Sequence, residues 1–175
     1  MNKNKEQGRE NPMRAVRIAG VTLHCSTADS AKLARAKKLL EFITKRKAVI
    51  TIAKKRIPTW KVRPGMDIGC KVTLRGKEAE DILARIFVGV PLFKEKQFNA
   101  GFMNFGIKEY IEIPSIEYQR EIGIMGFEVV VVLKRPGFSV SARRHSPGKI
   151  GPRHKISKEE TIEFFKKNFN LNIEK

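Results

Sequence analysis

Sulfur and imidazole are scarce in this sequence, and their scarcity excludes most metal chemistry. Only two cysteines occur in 175 residues, Cys25 and Cys70, each inside an apolar alternating run. A reducing compartment disfavours a structural disulfide, so both read as buried thiols. The three histidines are His24, His145 and His154, with no His-x-x-x-His, Cys-x-x-Cys or carboxylate cluster beside them. Cys25, Cys70 and His24 could in principle meet across adjacent strands, but no fourth zinc ligand is evident. Neither Gly-rich phosphate loop, Gly-x-x-x-x-Gly-Lys-Ser/Thr or Gly-x-Gly-x-x-Gly, is found. Glu159, Glu160 and Glu163 fall at helical spacing, the pattern of a solvated helix. No catalytic residue, metal or cofactor is therefore expected.

Long apolar runs are also missing. The longest, Phe127 to Leu133, is interrupted by Glu128 and falls far short of the roughly 20 residues of a spanning helix. The N-terminal MNKNKEQGRENP lacks the apolar core of a signal peptide. The chain reads as cytosolic, with no membrane partner.

What the sequence holds in excess is positive charge. Thirty-six Lys and Arg face 18 Asp and Glu, a net charge of +18. Such self-repulsion points to a polyanionic partner, with nucleic acid ahead of an anionic membrane. No acid lies between Glu41 and Asp67, a gap holding Lys45, Arg46, Lys47, Lys54, Lys55, Arg56, Lys61 and Arg63. None lies between Glu128 and Glu159, where Lys134, Arg135, Arg143, Arg144, Lys149, Arg153, Lys155 and Lys158 stand. Acid-free cationic loops suit phosphate contact. His145 and His154 flank those cations and read as RNA contacts rather than acid–base catalysts. The stretch AKKRIPTWKVRPG carries the only tryptophan, Trp60. It either packs with Ile57 and Val62 or stacks on bases or sugars.

Periodicity supplies the frame. Val16 to Cys25 reads as strand, with a switch of parity at Ala19-Gly20 that suggests a β-bulge. Leu33, Ala36, Leu40 and Ile43 form a helical stripe, capped by Thr27 or Asp29. Ala48 to Ile52 reads as strand. So does Ile68 to Arg75, with Lys71, Thr73 and Arg75 on its polar face. Ala79, Ile82, Leu83 and Ile86 predict a second helix; residues 88–104 predict a long loop. Phe105, Ile107, Ile111 and Ile113 predict a strand ending at Pro114, and Met125 to Leu133 a central one. Residues 134–155 hold little that could build a core, and their order is expected either in the free chain or only on binding. Ser157-Lys-Glu-Glu160 is a capping box opening a last helix. The fold class is α+β: a largely antiparallel sheet with helices on one face. Residues 1–12 are expected to be a disordered lead-in, and 13–175 one domain with basic loops at about 53–66 and 134–156.

Six blocks then align with one family. Asn11-Pro-Met-Arg14, Leu39-Leu-Glu41, Ile68-Gly-Cys-Lys-Val-Thr-Leu-Arg-Gly76, Phe105-Gly-Ile-Lys-Glu109, Arg135-Pro-Gly-Phe138 and Ser157-Lys-Glu-Glu160 occur in that order. Over residues 11 to 170 the chain resembles the universal L-five family, the 5S rRNA-binding protein of the large ribosomal subunit, in its archaeal and eukaryotic branch. The resemblance implies a non-enzymatic role, joining 5S rRNA to large-subunit rRNA in the central protuberance beside a neighbouring 5S-associated ribosomal protein. It also implies a bridge to the small-subunit head through the S-thirteen family. The sheet's polar face, Lys71, Thr73 and Arg75, is implied to meet 5S rRNA. A loop corresponding to Lys54, Lys55, Arg56, Thr59, Trp60, Lys61 and Arg63 is implied to approach P-site tRNA. Further RNA contacts are expected at Arg14, Arg135, Arg143, Arg144, His145, Lys149, Arg153, His154 and Lys155. Two positions depart from the family pattern: His24 stands where an Asn is usual, and Arg46 where the helix commonly ends in Gly-Gln. Both are expected to reach 5S rRNA by charge.

Two other classes compete. An RNA-modifying enzyme would need a cofactor loop or a catalytic acid. An extra-ribosomal RNA-binding or chaperone module would share the charge pattern.

Overall fold

The computed structural model describes residues 11–90, 92–114 and 116–174, so most of the expected lead-in lies outside the described residues. Asn11 and Pro12 are within them: the Asn11 side chain accepts from the Met13 N–H and opens a 3-10 turn over Pro12–Arg14.

Strand β1, Arg17–Ser26, is the spine. It pairs antiparallel with β3, Asp67–Leu74, on one side and β7, Phe127–Lys134, on the other. Outside β3 lies β2, Val49–Ile52; outside β7 lie β6, Phe102–Ile107, and β5, Phe98–Asn99. The six-stranded order is β2-β3-β1-β7-β6-β5, every pairing antiparallel. The β1–β7 register slips between Ile18 and Gly20, which places the bulge at the predicted parity switch. Gly20 keeps this approach close: a Cβ would stand 3.1 Å from the Leu74 carbonyl, a tight contact.

One face of the sheet is covered. Val21, Leu23, Cys70, Val72, Leu74, Val129, Val131, Met103 and Phe105 are buried on it. Helix α1, Ser30–Thr44, starts because the Asp29 carboxylate accepts from the Ala31 N–H at 3.0 Å, and stops at Lys45 in the left-handed region. It buries Leu33, Ala36, Leu39, Leu40 and Ile43. Helix α2, Lys77–Gly89, buries Ala79, Ile82, Leu83, Ile86 and Phe87, with Glu78 and Glu80 favourably placed at its N-terminus. A short α3 spans Ser139–Ala142, and α4 spans Lys158–Phe169. Phe87, Phe93, Phe98, Phe105, Phe165 and Phe169 meet with centroids 5.1 to 6.2 Å apart, joining α2 and α4 to the sheet. Each such burial contributes about 1.5–3 kcal/mol.

Two expectations need correction, and one element was unforeseen. Residues 88–104 are not a long loop: Leu92–Lys94 forms β4, and β5 and the start of β6 follow. The strand predicted from Phe105 to Pro114 ends at Ile107, and Tyr110–Glu112 makes a 3-10 turn instead. That turn is held by the Tyr110 hydroxyl, which accepts from the Gln119 N–H at 2.9 Å. A parallel pair of β4 with β8, Asn172–Glu174, was not foreseen.

Candidate nucleic-acid interface

The uncovered face of the sheet is set by strand parity. Because Cys70, Val72 and Leu74 turn inward, Lys71 and Thr73 turn outward, and Arg75 follows at the strand end; all three are exposed. Register then arranges the rows. Lys71 stands opposite His24, which faces Glu128 on β7; Thr73 stands opposite Thr22, which faces Val130 and, beyond it, Asn104. The Thr22 and Thr73 hydroxyl oxygens are 3.3 Å apart.

At the β3 edge of this face lies a depression of about 510 Å³. Arg46, Lys47, Lys71, Thr73, Arg75 and Glu78 line it, so four of the five expected 5S contacts share one concavity. His24, the fifth, is half-buried on the neighbouring strand, its Nδ1 3.8 Å from the Glu128 carboxylate. Arg46 is not a free cation. Its Nε and Nη2 donate to Glu78 at 3.2 and 2.5 Å, and that hydrogen bonding holds its proton more firmly than usual. Thr22 was not named from sequence, and Lys47 only as one of the cations in the acid-free gap. Thr22 had a signal, since it shares the parity of His24.

The loop after β2 is a folded finger. Its base closes where the Ala53 N–H donates to Met66 at 2.8 Å and the Gly65 N–H donates to Ala53 at 3.0 Å. Higher up, Ile57 and Val62 exchange backbone hydrogen bonds of 3.0 and 3.1 Å around a 3-10 turn, Pro58–Trp60. Lys61 completes the turn in the left-handed region, φ 54°. Lys54, Lys55, Arg56, Thr59, Lys61 and Arg63 are exposed, and no salt bridge among the described residues engages them. Val62 is buried, but Trp60 is 68% exposed. The ring is no buried anchor; it rims an apolar depression of about 570 Å³ with Ile57, Val62, Ala28 and Ile68.

Residues 134–156 are fastened to the start of α4 by Arg135, which reaches Glu160. Arg143 Nε donates to the Ser146 carbonyl, 2.7 Å, and the Gly148 N–H to Val140, 3.0 Å. Arg144, His145, Lys149, Arg153 and Lys155 are exposed, as is Arg14. Two of the expected RNA contacts are occupied otherwise. Arg135 is 4% exposed, its Nη2 2.7 Å from Glu160 Oε1 and its Nη1 3.4 Å from the carbonyls of His154 and Lys155. It fastens the segment and offers nothing to a ligand. His154 is half-buried; its Nε2 donates to the Pro136 carbonyl at 2.9 Å and its ring meets Phe138. Within 134–155 no hydrophobic side chain is buried, as its core-poor composition implies; Phe138 packs half-buried against the core, and the next residue, Ile156, is buried.

Both cysteines are free, buried and directly opposite each other on β1 and β3. Burial, with Cys25 alongside, pushes the Cys70 thiol up to about 11. Among the described residues no His, Cys, Asp and Glu gather as a metal site.

Comparison with known proteins agrees along the chain. Residues 11–63 match the family described as ribosomal protein L5, and residues 67–164 match the model of that ribosomal family's C-terminus. The large ribosomal subunit protein uL5 of Nanoarchaeum equitans is 42% identical over 167 residues, 94% of this chain and 99% of its own. That of Sulfurisphaera tokodaii is 44% identical, covering 93% and 94%. That of Methanococcoides burtonii is 39% identical, covering 94% and 99%. The seam between the two matched regions falls at the base of the finger. The sheet crosses it, because β3 from the second region lies between β2 and β1 from the first.

Proposed function

This chain belongs to the ribosomal protein L5 family, and from that premise we propose that the open face of its sheet binds 5S rRNA and joins it to large-subunit rRNA in the central protuberance. Membership makes it a structural component of the large ribosomal subunit, not an enzyme, and places it on the ribosome in the cytoplasm.

The observation that carries the finer reading is the cationic concavity. Lys71, Thr73 and Arg75 share it with Arg46 and Lys47, and Thr22 and His24 extend it across β1. Lysines neutralise phosphates as point charges and Arg75 can fork onto them, while the threonine hydroxyls suit sugar or phosphate oxygens. Arg46 reaches RNA only by leaving Glu78. The finger, Lys54 to Arg63, contacts P-site tRNA, and the exposed cations of 134–156 hold large-subunit rRNA. Contacts with the small-subunit head protein and with a neighbouring 5S-associated protein complete the reading.

The test is binding of transcribed 5S rRNA by the full chain. Thr73→Ala with Arg75→Ala should weaken it by about tenfold or more, as loss of one charged and one neutral contact implies. Footprinting should show the protected nucleotides reappearing in the same variant. Unchanged affinity would remove the sheet face from the interface.

A further inference from the structure

Strand β2 is an edge, and an unusual one. Its ladder partner is β3, and among the described residues no strand pairs its other side. Globular proteins ordinarily keep such edges short, charged, or broken by proline. The opposite edge, β5, obeys that rule: it has two residues and packs against α4. By contrast β2 is Val49-Ile-Thr-Ile52, four β-branched residues with no charge and no proline. Val49 is 60% and Ile52 59% exposed. Beside it, on the helix side, lies a depression of about 390 Å³ lined by Leu33, Ala34, Lys37, Ile50 and Met66, with the Asp67 carboxylate at its rim. Cations flank both ends: Lys45 and Lys47 before the strand, Lys54, Lys55 and Arg56 after it. All are exposed, and none joins a salt bridge among the described residues.

We propose that the β2 edge docks an extended segment of a partner protein. The segment adds as a further strand, seats an apolar side chain in the Leu33–Ile50–Met66 depression, and sets carboxylates at its two ends against the flanking cations. Backbone hydrogen bonds supply affinity in this mode, and the pocket and end charges supply specificity. A protein fits better than RNA. The outward N–H and C=O groups of an edge match another peptide backbone in spacing, while four aliphatic and hydroxyl side chains give phosphate no cation and bases no stacking ring. The edge shares Lys47 and Val49 with the concavity proposed for 5S rRNA, so peptide and 5S rRNA would compete at that corner.

The experiment uses the full chain and a synthetic peptide, Asp-Glu-Val-Thr-Val-Thr-Glu-Asp, followed by amide chemical shifts and hydrogen exchange. Saturable binding is expected, with new protection confined to Val49–Ile52 and its neighbours. N-methylating alternate core residues of the peptide should weaken binding by about tenfold or more, because each removes a ladder donor. Lys47→Glu with Lys54→Glu should do likewise, and both sites are exposed enough to keep the fold. No saturation at millimolar peptide overturns the proposal, as does equal binding by the N-methylated peptide. Protection of the same amides by a short single-stranded RNA would assign the edge to nucleic acid and overturn it equally.

Discussion

Arg135 and Glu160 show how one residue can serve two elements. Glu160 Oε2 accepts from the Ser157 N–H at 3.0 Å, closing the capping box of α4, while Oε1 receives Arg135 at 2.7 Å. The same guanidinium reaches two carbonyls of residues 154 and 155, and only its Nε lacks a hydrogen-bond partner. Removing one partner of a buried pair is costly because the other stays behind unpaired. Glu160 keeps 39% of its side chain exposed, so water screens part of that loss. Arg135→Ala should therefore lower stability by about 2–3 kcal/mol in urea titration, below the full cost of breaking a fully buried pair. Arg144→Ala, on the exposed surface, should change it by less than about 0.5 kcal/mol. Equal effects in the two variants would show that Arg135 is not an anchor.

At the scale of elements, the finger and the sheet face behave as separate units. The finger is closed by its own base hydrogen bonds and its own Ile57–Val62 bridge, and neither uses a side chain of the open face. Neutralising Lys54, Lys55 and Arg56 to Gln should leave 5S rRNA affinity within about twofold, since it touches no sheet contact. The same variant should lower P-site tRNA occupancy or subunit joining on assembled ribosomes. A matching loss of 5S affinity would merge the two surfaces. Elements of this kind were legible where a period ran long enough. β1, β3, β7, α1 and α2 each repeat for eight residues or more, and the parity of β3 alone separated Lys71 and Thr73 from Cys70 and Val72. β4, β5 and β8 have three residues or fewer, too short for any period, and exist because tertiary partners pair them. Arg135 misled for a related reason. Its basic neighbours suggested RNA, and its true partner lies 25 positions away, in a capping box whose second oxygen no local pattern exposes.

For the whole molecule, register decides where the charge goes. β2 ends at Ile52, level with Asp67, whereas β7 ends at Lys134, level with Arg17. Since Leu74 pairs with Val21 and Gly69 with Ser26, these are opposite ends of the sheet. The finger thus leaves from one end and the 134–156 segment from the other, with the Lys71–Thr73–Arg75 concavity between them and nearer the second. A net charge of +18 divided this way gives one extended cationic track rather than a single patch. Counterion release where the sheet-face portion of this track meets 5S rRNA makes that binding steeply salt-dependent. With six or more phosphates neutralised, 5S rRNA affinity should fall on the order of 10³-fold between about 50 and 200 mM salt. Lys71→Gln with Arg75→Gln should flatten the logarithmic slope by about two, one per lost phosphate contact, while the finger variant leaves the slope unchanged. Affinity that stays level across that salt range would mean the cations meet something other than the phosphate backbone.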